Sequence, residues 1–138
     1  MKIGNTEIKL YYNNQAAQEI SELCGGSNNL SALVFDSKGN PVEPLKQLEN
    51  VAKLVRILAN NEIRKNNMLI KMGVLTGEPK EEYTDEQFSV ILDASMVSNY
   101  FTECIDTIRK DSTFAVPDSV KMTEPDLDLE EIEAEKNP

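Results

Sequence analysis

The sequence predicts a mainly α-helical (α+β) protein: a small N-terminal β-hairpin packed on a compact bundle of about three to four helices, followed by a disordered acidic C-terminal tail. Three observations predict this fold. Apolar residues alternate with polar ones near the N-terminus, whereas further along they recur at helical spacing. Beyond Pro117, acidic residues largely replace apolar ones. A chain of 138 residues supports a single core. We therefore assign residues 1–117 to one helical domain and residues 118–138 to the tail.

The first twelve residues have the pattern of a β-hairpin. Gly4-Asn5 suits a tight turn, and Ile8, Leu10 and Tyr12 then occupy every second position of the returning strand. Because an isolated two-stranded ribbon is only marginally stable in water, its apolar face must pack on a helix.

The first helix is bounded by typical capping residues. Either Asn13 or Asn14 can cap its N-terminus, and Gly25-Gly26 ends it. One stripe of this helix is apolar and consists of Ala16, Ala17, Ile20, Leu23 and Cys24.

Residues from Ser27 to Pro44 read as a loop. Within it, the apolar run from Leu30 to Phe35 fits either a helical turn or a short strand. The segment from Asp36 to Asn40 has only a faint likeness to a calcium-binding loop, because the spaced acids and the bidentate glutamate are missing. We interpret it as a turn.

The strongest helical pattern starts at Pro44, a residue that suits a first helical turn. Its broad apolar face comprises Leu45, Leu48, Val51, Ala52, Val55, Ile57, Leu58 and Ala59. The pattern weakens at Asn60-Asn61 and at Asn66-Asn67, then resumes from Met68 to Leu75. Either a continuation of the helix or a third helix fits this resumption, with an end near Gly73.

A further helix is predicted after the connection at Gly77 and Pro79. Thr84 and Gln87 have the spacing of a capping box, and Arg109-Lys110 suit the C-terminal end. We predict one helix between these ends, with an apolar stripe of Phe88, Ile91, Leu92, Met96, Tyr100, Phe101, Cys104, Ile105 and Ile108.

The tail carries most of the net negative charge of the chain. Residues 118–138 contain eight acids against two lysines, which is a net charge of −6 out of −10. So little apolar material predicts disorder. Leu129 and Ile132, at i and i+3, would share one face of a short acidic helix if a partner supplied a groove.

Composition argues against several classes of function. The chain has no histidine, no phosphate-binding glycine loop and no nucleophile motif, so we expect neither an enzyme nor a cofactor or metal site. A net charge of −10 opposes nucleic-acid binding. No apolar run approaches the ~20 residues of a membrane span, and no secretory signal is visible, so a cytoplasmic location is expected.

Cys24 and Cys104 are expected to be reduced, unreactive core thiols.

The order of these elements resembles a known family. A hairpin, a helix over residues 14–26, a loop, a leucine-rich helix from Leu45 to Glu62 and a Thr84-capped helix follow one another. In this order the chain is similar to the tail assembly chaperones of long-tailed (siphovirus-type) bacteriophages and prophages of Gram-positive bacteria. The resemblance covers Lys2 to Lys110, and the loop Ser27–Pro44 does not contribute to it.

The resemblance implies a protein that binds the tape measure protein, keeps it soluble, helps the tail tube to polymerise around it and is absent from the mature virion. It implies the major tail tube protein as a further partner, and self-association stays open. The apolar positions proposed for client binding are Leu48, Val55, Phe88, Leu92, Tyr100 and Phe101. Members of the family are often also made in a longer, frameshifted form, and Glu135-Lys136-Asn137 is compatible with a slippery codon sequence. The alternative is another acidic interaction module: an adaptor, an antitoxin-like inhibitor or a DNA-mimicking anti-defence protein.

Overall fold

The computed structural model describes residues 1–26 and 29–112. Over these residues the protein is mainly helical, as predicted, with one small antiparallel hairpin at the N-terminus. The elements are β1 (Lys2–Ile3), β2 (Thr6–Glu7), α1 (Asn14–Leu23), a 3₁₀ turn (Leu30–Leu33), α2 (Pro44–Lys71), α3 (Asp85–Ile91) and α4 (Val97–Asp111). The predicted acidic tail and the domain boundary at residue 117 lie outside the described residues.

The hairpin is shorter than the sequence pattern predicts. Gly4 takes a positive φ of 63° in the turn, and the strands end at Glu7. The Ile8 amide still donates to the Met1 carbonyl at 2.7 Å, and beyond Ile8 the backbone finds partners in the helices instead. The Tyr11 amide donates to the Leu58 carbonyl of α2 at 3.1 Å, and the Tyr12 amide donates to Asp111 Oδ2 of α4 at 3.1 Å. These bonds attach the hairpin to the helical core.

Helix α1 begins and ends as predicted. Asn13 Oδ1 accepts the Ala16 amide at 2.8 Å, and the chain turns away at Gly25 and Gly26, both with positive φ. The Gly26 amide donates back to the Ser21 carbonyl at 2.7 Å, which satisfies an otherwise unpaired group of the last turn.

The ambiguous apolar run in the loop is mainly a helical turn. Leu30–Leu33 forms the 3₁₀ turn, and Phe35 makes an isolated bridge with Pro41. Between these two residues, Asp36 Oδ1 accepts the amides of Lys38 and Asn40, both at 2.9 Å, which confirms a turn at this position.

Helix α2 is the centre of the fold and runs without a break. It has 28 residues, so it is ~42 Å long. The weak points of the pattern at Asn60 and Asn61 are not a helix end, because both side chains are buried and hydrogen-bonded. The sequence pattern placed Leu45 on the buried face of this helix. This prediction is wrong, since Leu45 is 73% exposed.

The predicted helix from Thr84 to Lys110 is in fact two helices. The capping box of Thr84 and Gln87 is present and starts α3. The helix stops because Leu92 is extended and Asp93 Oδ1 accepts the Ser95 amide at 2.9 Å, which caps a new 3₁₀ turn. The hydroxyl of Tyr100 accepts the Asp93 amide at 3.1 Å and fixes the break.

The core forms where α1, α3 and α4 pack around α2. The largest of its fully buried apolar side chains are Phe88, Leu54, Leu58, Val51, Val55 and Cys104. Burial of several large apolar side chains at ~1.5–3 kcal/mol each is the main stabilising contribution. Buried residues of α2 end at Ile63, so the last two turns of this helix extend past the core.

Candidate functional site

The C-terminal end of α2 carries an exposed apolar surface. Four apolar residues are exposed there: Met68 near the end of α2, Met72 at its C-cap, and Val74 and Leu75 just after it. We call these four residues the α2-end patch. Clustered apolar side chains on a protein surface often mark an interaction site, and methionine adapts its shape to different partners.

A glycine-dependent turn creates part of this patch. Gly73 has a φ of 80°, and its amide donates to the Ile70 carbonyl at 3.0 Å, while the Val74 amide donates to the Leu69 carbonyl at 2.9 Å. This pairing ends the helix and reverses the chain. As a consequence, Val74 and Leu75 follow directly on the exposed methionines.

The returning segment, residues 76–83, lies against α2 and is called the strap here. Asn60 Oδ1 accepts the Tyr83 amide at 2.7 Å, and Asn60 Nδ2 donates to the Tyr83 carbonyl at 2.9 Å. Asn67 makes the same pair of bonds with the backbone of Lys80, at 2.9 and 2.8 Å. Two side-chain amides of α2 thus replace the backbone partners that the strap would have in a sheet.

A shared arginine adds to this attachment. Arg64 lies between the two asparagines on the same stripe of α2 and makes two bonds of 2.9 Å with the Glu82 carboxylate of the strap. Its Nη1 also donates to Glu19 Oε2 of α1 at 3.0 Å. The hydrogen bonds from Arg64 lower the pKa of Glu82, and those to Glu82 raise the pKa of Arg64. One guanidinium therefore links α1, α2 and the strap.

A groove of about 390 Å³ lies between the strap and the hairpin. Its apolar lining includes Ala59, Ile63 and Ile70 of α2 together with Leu75 of the α2-end patch. Charged residues of both signs also line it, among them Glu7, Lys9, Glu62, Glu78 and Lys80. The mixture of a partly apolar lining and charged groups suits a peptide or protein segment better than a small apolar ligand.

A second cleft, of about 450 Å³, lies where the end of α4 meets the hairpin and α2. Lys65 of α2 and Lys110 and Asp111 of α4 line it, and the Lys65 ammonium sits 4.3 Å from the centre of the Tyr11 ring. This cation–π contact holds Lys65 against the hairpin. The cleft is polar and contains nearly balanced charges, so its chemistry does not select one sign of ligand.

Other apolar side chains are also exposed, but at different places. Val90, Ile91 and Met96 lie where α3 passes into α4. Phe35 belongs to the loop, and Leu45 to the N-terminal end of α2. Met96 and Leu45 are therefore useful reference positions for experiments on the α2-end patch.

The residues predicted from the sequence to bind a client lie mostly inside the protein. Val55 and Phe88 are fully buried, and Leu92 and Tyr100 are nearly so. Leu48 and Phe101 are half-buried against the core. In the folded conformation the first four cannot contact another protein, because they already form the centre of this one. The structure therefore places these four residues in the core and not on a contact surface.

The exposed α2-end residues were missing from that prediction. The sequence does show their apolar character, since the helical pattern resumes at Met68 after the two asparagine pairs. The neighbouring helices are too short to cover the whole apolar pattern of α2, but the sequence does not show this, because it predicts one long helix where the structure has α3 and α4.

Burial disfavours the reactive thiolate form of both cysteines. Cys104 is buried in α4, and burial raises its pKa strongly. Cys24 follows α1 directly and is half-buried, and burial raises its pKa to about 11. The expectation of a core position is thus confirmed for Cys104, whereas Cys24 lies at the edge of the core.

Comparison with known proteins gives no identification: no family model, no curated protein and no solved structure matches the chain. Within residues 1–26 and 29–112, no helix is long and apolar enough to cross a membrane. The same part of the chain contains no group of three or more acidic or cysteine side chains placed to hold a metal ion.

Proposed function

We propose that this protein is a tail assembly chaperone of a long-tailed bacteriophage or prophage. In this role it acts in the host cytoplasm without catalysis. It binds the tape measure protein, keeps this client soluble while the tail tube polymerises around it, and leaves before the virion is complete.

The observation that carries the proposal is the α2-end patch. A long helical client exposes apolar stripes that aggregate unless another protein covers them. Met68 and Met72 are one turn apart on α2, so they present a ridge that can pack against such a stripe. A net charge of −10 keeps the resulting complex soluble through mutual repulsion.

The element order supports the same proposal. The hairpin, α1, the long α2 and the Thr84-capped α3 follow one another in the order on which the resemblance to tail assembly chaperones rests. The division of the last predicted helix into α3 and α4 falls within the range of the resemblance and leaves that order intact.

The alternative of a DNA-mimicking inhibitor requires rows of unpaired acids on the folded surface. Two surface acids are instead engaged with cations: Glu49 pairs with Lys46 at 3.4 Å, and Glu82 pairs with Arg64 at 2.9 Å. An adaptor for a different protein stays as the second candidate, and the identity of the client distinguishes it from a chaperone.

Co-expression with the tape measure protein encoded beside this chain tests the proposal. The client is expected to be soluble and to co-purify with the wild-type protein, and to be largely insoluble alone. The double variant Met68→Ser/Met72→Ser is expected to lose this effect. Leu45→Ser is the matched control, because Leu45 is as exposed as Met72 (73% against 65%) but lies at the opposite end of α2.

Three results would contradict the proposal. The first is a client that is equally insoluble with and without this protein. The second is that Met68→Ser/Met72→Ser solubilises the client as well as the control Leu45→Ser does, because the α2-end patch would then not be needed for client binding. The third is a stoichiometric amount of this protein in purified mature virions, since a tail assembly chaperone leaves before the tube closes.

A further inference from the structure

We propose that the groove between the strap and the hairpin binds an extended peptide segment of a partner protein, which adds to the hairpin as a third, antiparallel strand beside β2. Three successive residues of this segment are acidic, aliphatic and basic. Neither Met68 nor Met72 is among the described residues that line the groove, so the bound peptide leaves both methionines open. The proposal does not rest on the tape measure protein as client.

The outer edge of β2 carries backbone groups without a partner. The Ile8 amide donates to the Met1 carbonyl at 2.7 Å, and the Ile8 carbonyl accepts from the Met1 nitrogen at 3.0 Å. In an antiparallel ribbon, the residues next to such a hydrogen-bonded pair direct their amides and carbonyls to the opposite edge. Within the part of the chain that the structure describes, no hydrogen bond uses the backbone groups of Glu7 or Lys9. An unpaired edge of this kind is a template for a further strand.

This edge faces the groove. Glu7, Ile8 and Lys9 all line it. Because the side chains of consecutive residues alternate between the two faces of a strand, three residues in a row line one groove where the edge of the strand faces it. The other side of the ribbon lies toward α4, since the Met1 nitrogen is 3.5 Å from the Glu103 carboxylate. The unpaired edge is therefore the one toward α2 and the strap.

The groove has room for a single strand. Its volume of about 390 Å³ falls within the ~300–1,000 Å³ that are typical of sites for small ligands. The strap forms the opposite wall, and Asn60 and Asn67 hold this wall in place through its backbone. A few residues of extended chain fit between the two walls, whereas a complete second hairpin with its helices does not.

The side chains along the edge define the sequence that fits. Glu7 and Lys9 are exposed, and Ile8 between them is buried. A residue opposite Ile8 points to the same side as Ile8, toward α2, where Ile63 and Ile70 belong to the apolar lining. Opposite charges that face each other across an antiparallel pair stabilise it. An acid is therefore favoured opposite Lys9, an aliphatic residue opposite Ile8 and a base opposite Glu7.

The acid opposite Lys9 is the more selective of the two charges. Lys9 makes no ion pair with another described residue, whereas the Glu7 carboxylate already pairs with the Met1 nitrogen. Because the added strand runs antiparallel to β2, its residues meet Lys9 first and Glu7 last. The preferred order from the N-terminus of the peptide is thus acidic, aliphatic, basic.

Titration of the full-length, ¹⁵N-labelled protein with the peptide acetyl-VEIKV-amide tests the proposal by NMR. The peptide is expected to shift the amide signals of Glu7 and Lys9 downfield in a saturable manner, because both amides gain a carbonyl partner. The methyl signals of Met68 and Met72 should stay in place, which separates this site from the α2-end patch. Failure of client binding at that patch would leave these shifts unaffected.

Two N-methylated forms of the peptide provide a matched pair of the same composition. N-methylation of its lysine removes the amide that donates to the Glu7 carbonyl, so binding should be lost. N-methylation of its isoleucine alters an amide that points away from β2, so binding should persist.

A charge exchange tests the sequence preference. Lys9→Glu should weaken binding of acetyl-VEIKV-amide several-fold, because an acid then faces an acid. The peptide acetyl-VKIKV-amide should bind Lys9→Glu better than it binds the wild type.

Three outcomes overturn the proposal. The first is the absence of saturable shifts at Glu7 and Lys9. The second is equal binding of the two N-methylated peptides, since the contact would then not use the edge of β2. The third is a shift of the Glu7 and Lys9 signals with protein concentration in the absence of peptide, which would assign the edge to a second copy of the chain.

Discussion

Replacing Asn60 by alanine tests how the strap is held on α2. The side chain of Asn60 is 1% exposed and forms both of its strap bonds with one residue, Tyr83. Asn67 forms the same two bonds with Lys80, but at the surface. The two asparagines therefore make the same geometric contact at different burial, and each serves as the control for the other.

The expected loss follows from the hydrogen bonds and their surroundings. Asn60→Ala removes two bonds of ~1 kcal/mol each and leaves the half-buried backbone groups of Tyr83 short of partners. Alanine regains ~0.5 kcal/mol through its higher helix propensity. The backbone groups of Tyr83 that lose their partners add a further cost. The net loss of unfolding free energy is therefore ~2 kcal/mol. Asn67→Ala should lose at most ~0.5 kcal/mol, because water replaces both bonds at Lys80.

Urea unfolding, monitored by the circular dichroism signal of the helices, measures the loss of unfolding free energy in both variants. The slope of the unfolding free energy against urea concentration should be the same in the wild type and in both variants. The reasoning is refuted if the two variants lose the same free energy, because burial would then not control the strength of the strap contact. A larger loss for Asn67→Ala would refute it as well.

Further predictions concern the cap of α3 and the two thiols. Thr84→Ala should lower the unfolding free energy by ~1 kcal/mol because the amide of Gln87 loses its partner, whereas Thr84→Ser should restore most of it; urea unfolding of both checks this. Cys104→Ala should cost ~1–2 kcal/mol, since the thiol is fully buried, while Cys24→Ala at the edge of the core should cost under ~0.5 kcal/mol. In the Cys104→Ala protein, the raised pKa of about 11 at Cys24 predicts slow labelling by a chromogenic disulfide reagent. Its rate should still rise ~tenfold per pH unit between pH 7 and 9, and a plateau near pH 8.5 would show an ordinary thiol instead.

The fold class was predictable because caps and periodicity are local. Asn13, Gly25-Gly26 and the capping box of Thr84 gave correct helix ends, since each forms bonds within a few residues. The continuity of α2 across Asn60 was not predictable, because that asparagine is satisfied by Tyr83, 23 residues away. The break at Leu92 depends in part on the hydroxyl of Tyr100, and an apolar stripe does not reveal such a bond.

The candidate site was less predictable than the fold. An apolar stripe identifies positions that avoid water, but it does not say which neighbour covers them. Val55 and Phe88 are covered by this protein's own helices, whereas Met72, with the same apolar character, is 65% exposed. Deciding between core and surface required the lengths of the packed helices, and these followed from the break between α3 and α4.

The bond between Tyr12 and Asp111 has a consequence for synthesis of the chain. Its two residues are 99 positions apart, so at ~5–20 residues per second the ribosome adds the partner of Tyr12 some ~5–20 s later. Helix α2 ends at Lys71, 40 residues before Asp111, so the face of α2 that later receives α4 stays without that cover for the last ~2–8 s of the interval. The nascent protein must avoid aggregation while this part of its core is exposed. Acidic residues that are made earlier, such as Glu19 and Glu22, oppose association through charge repulsion.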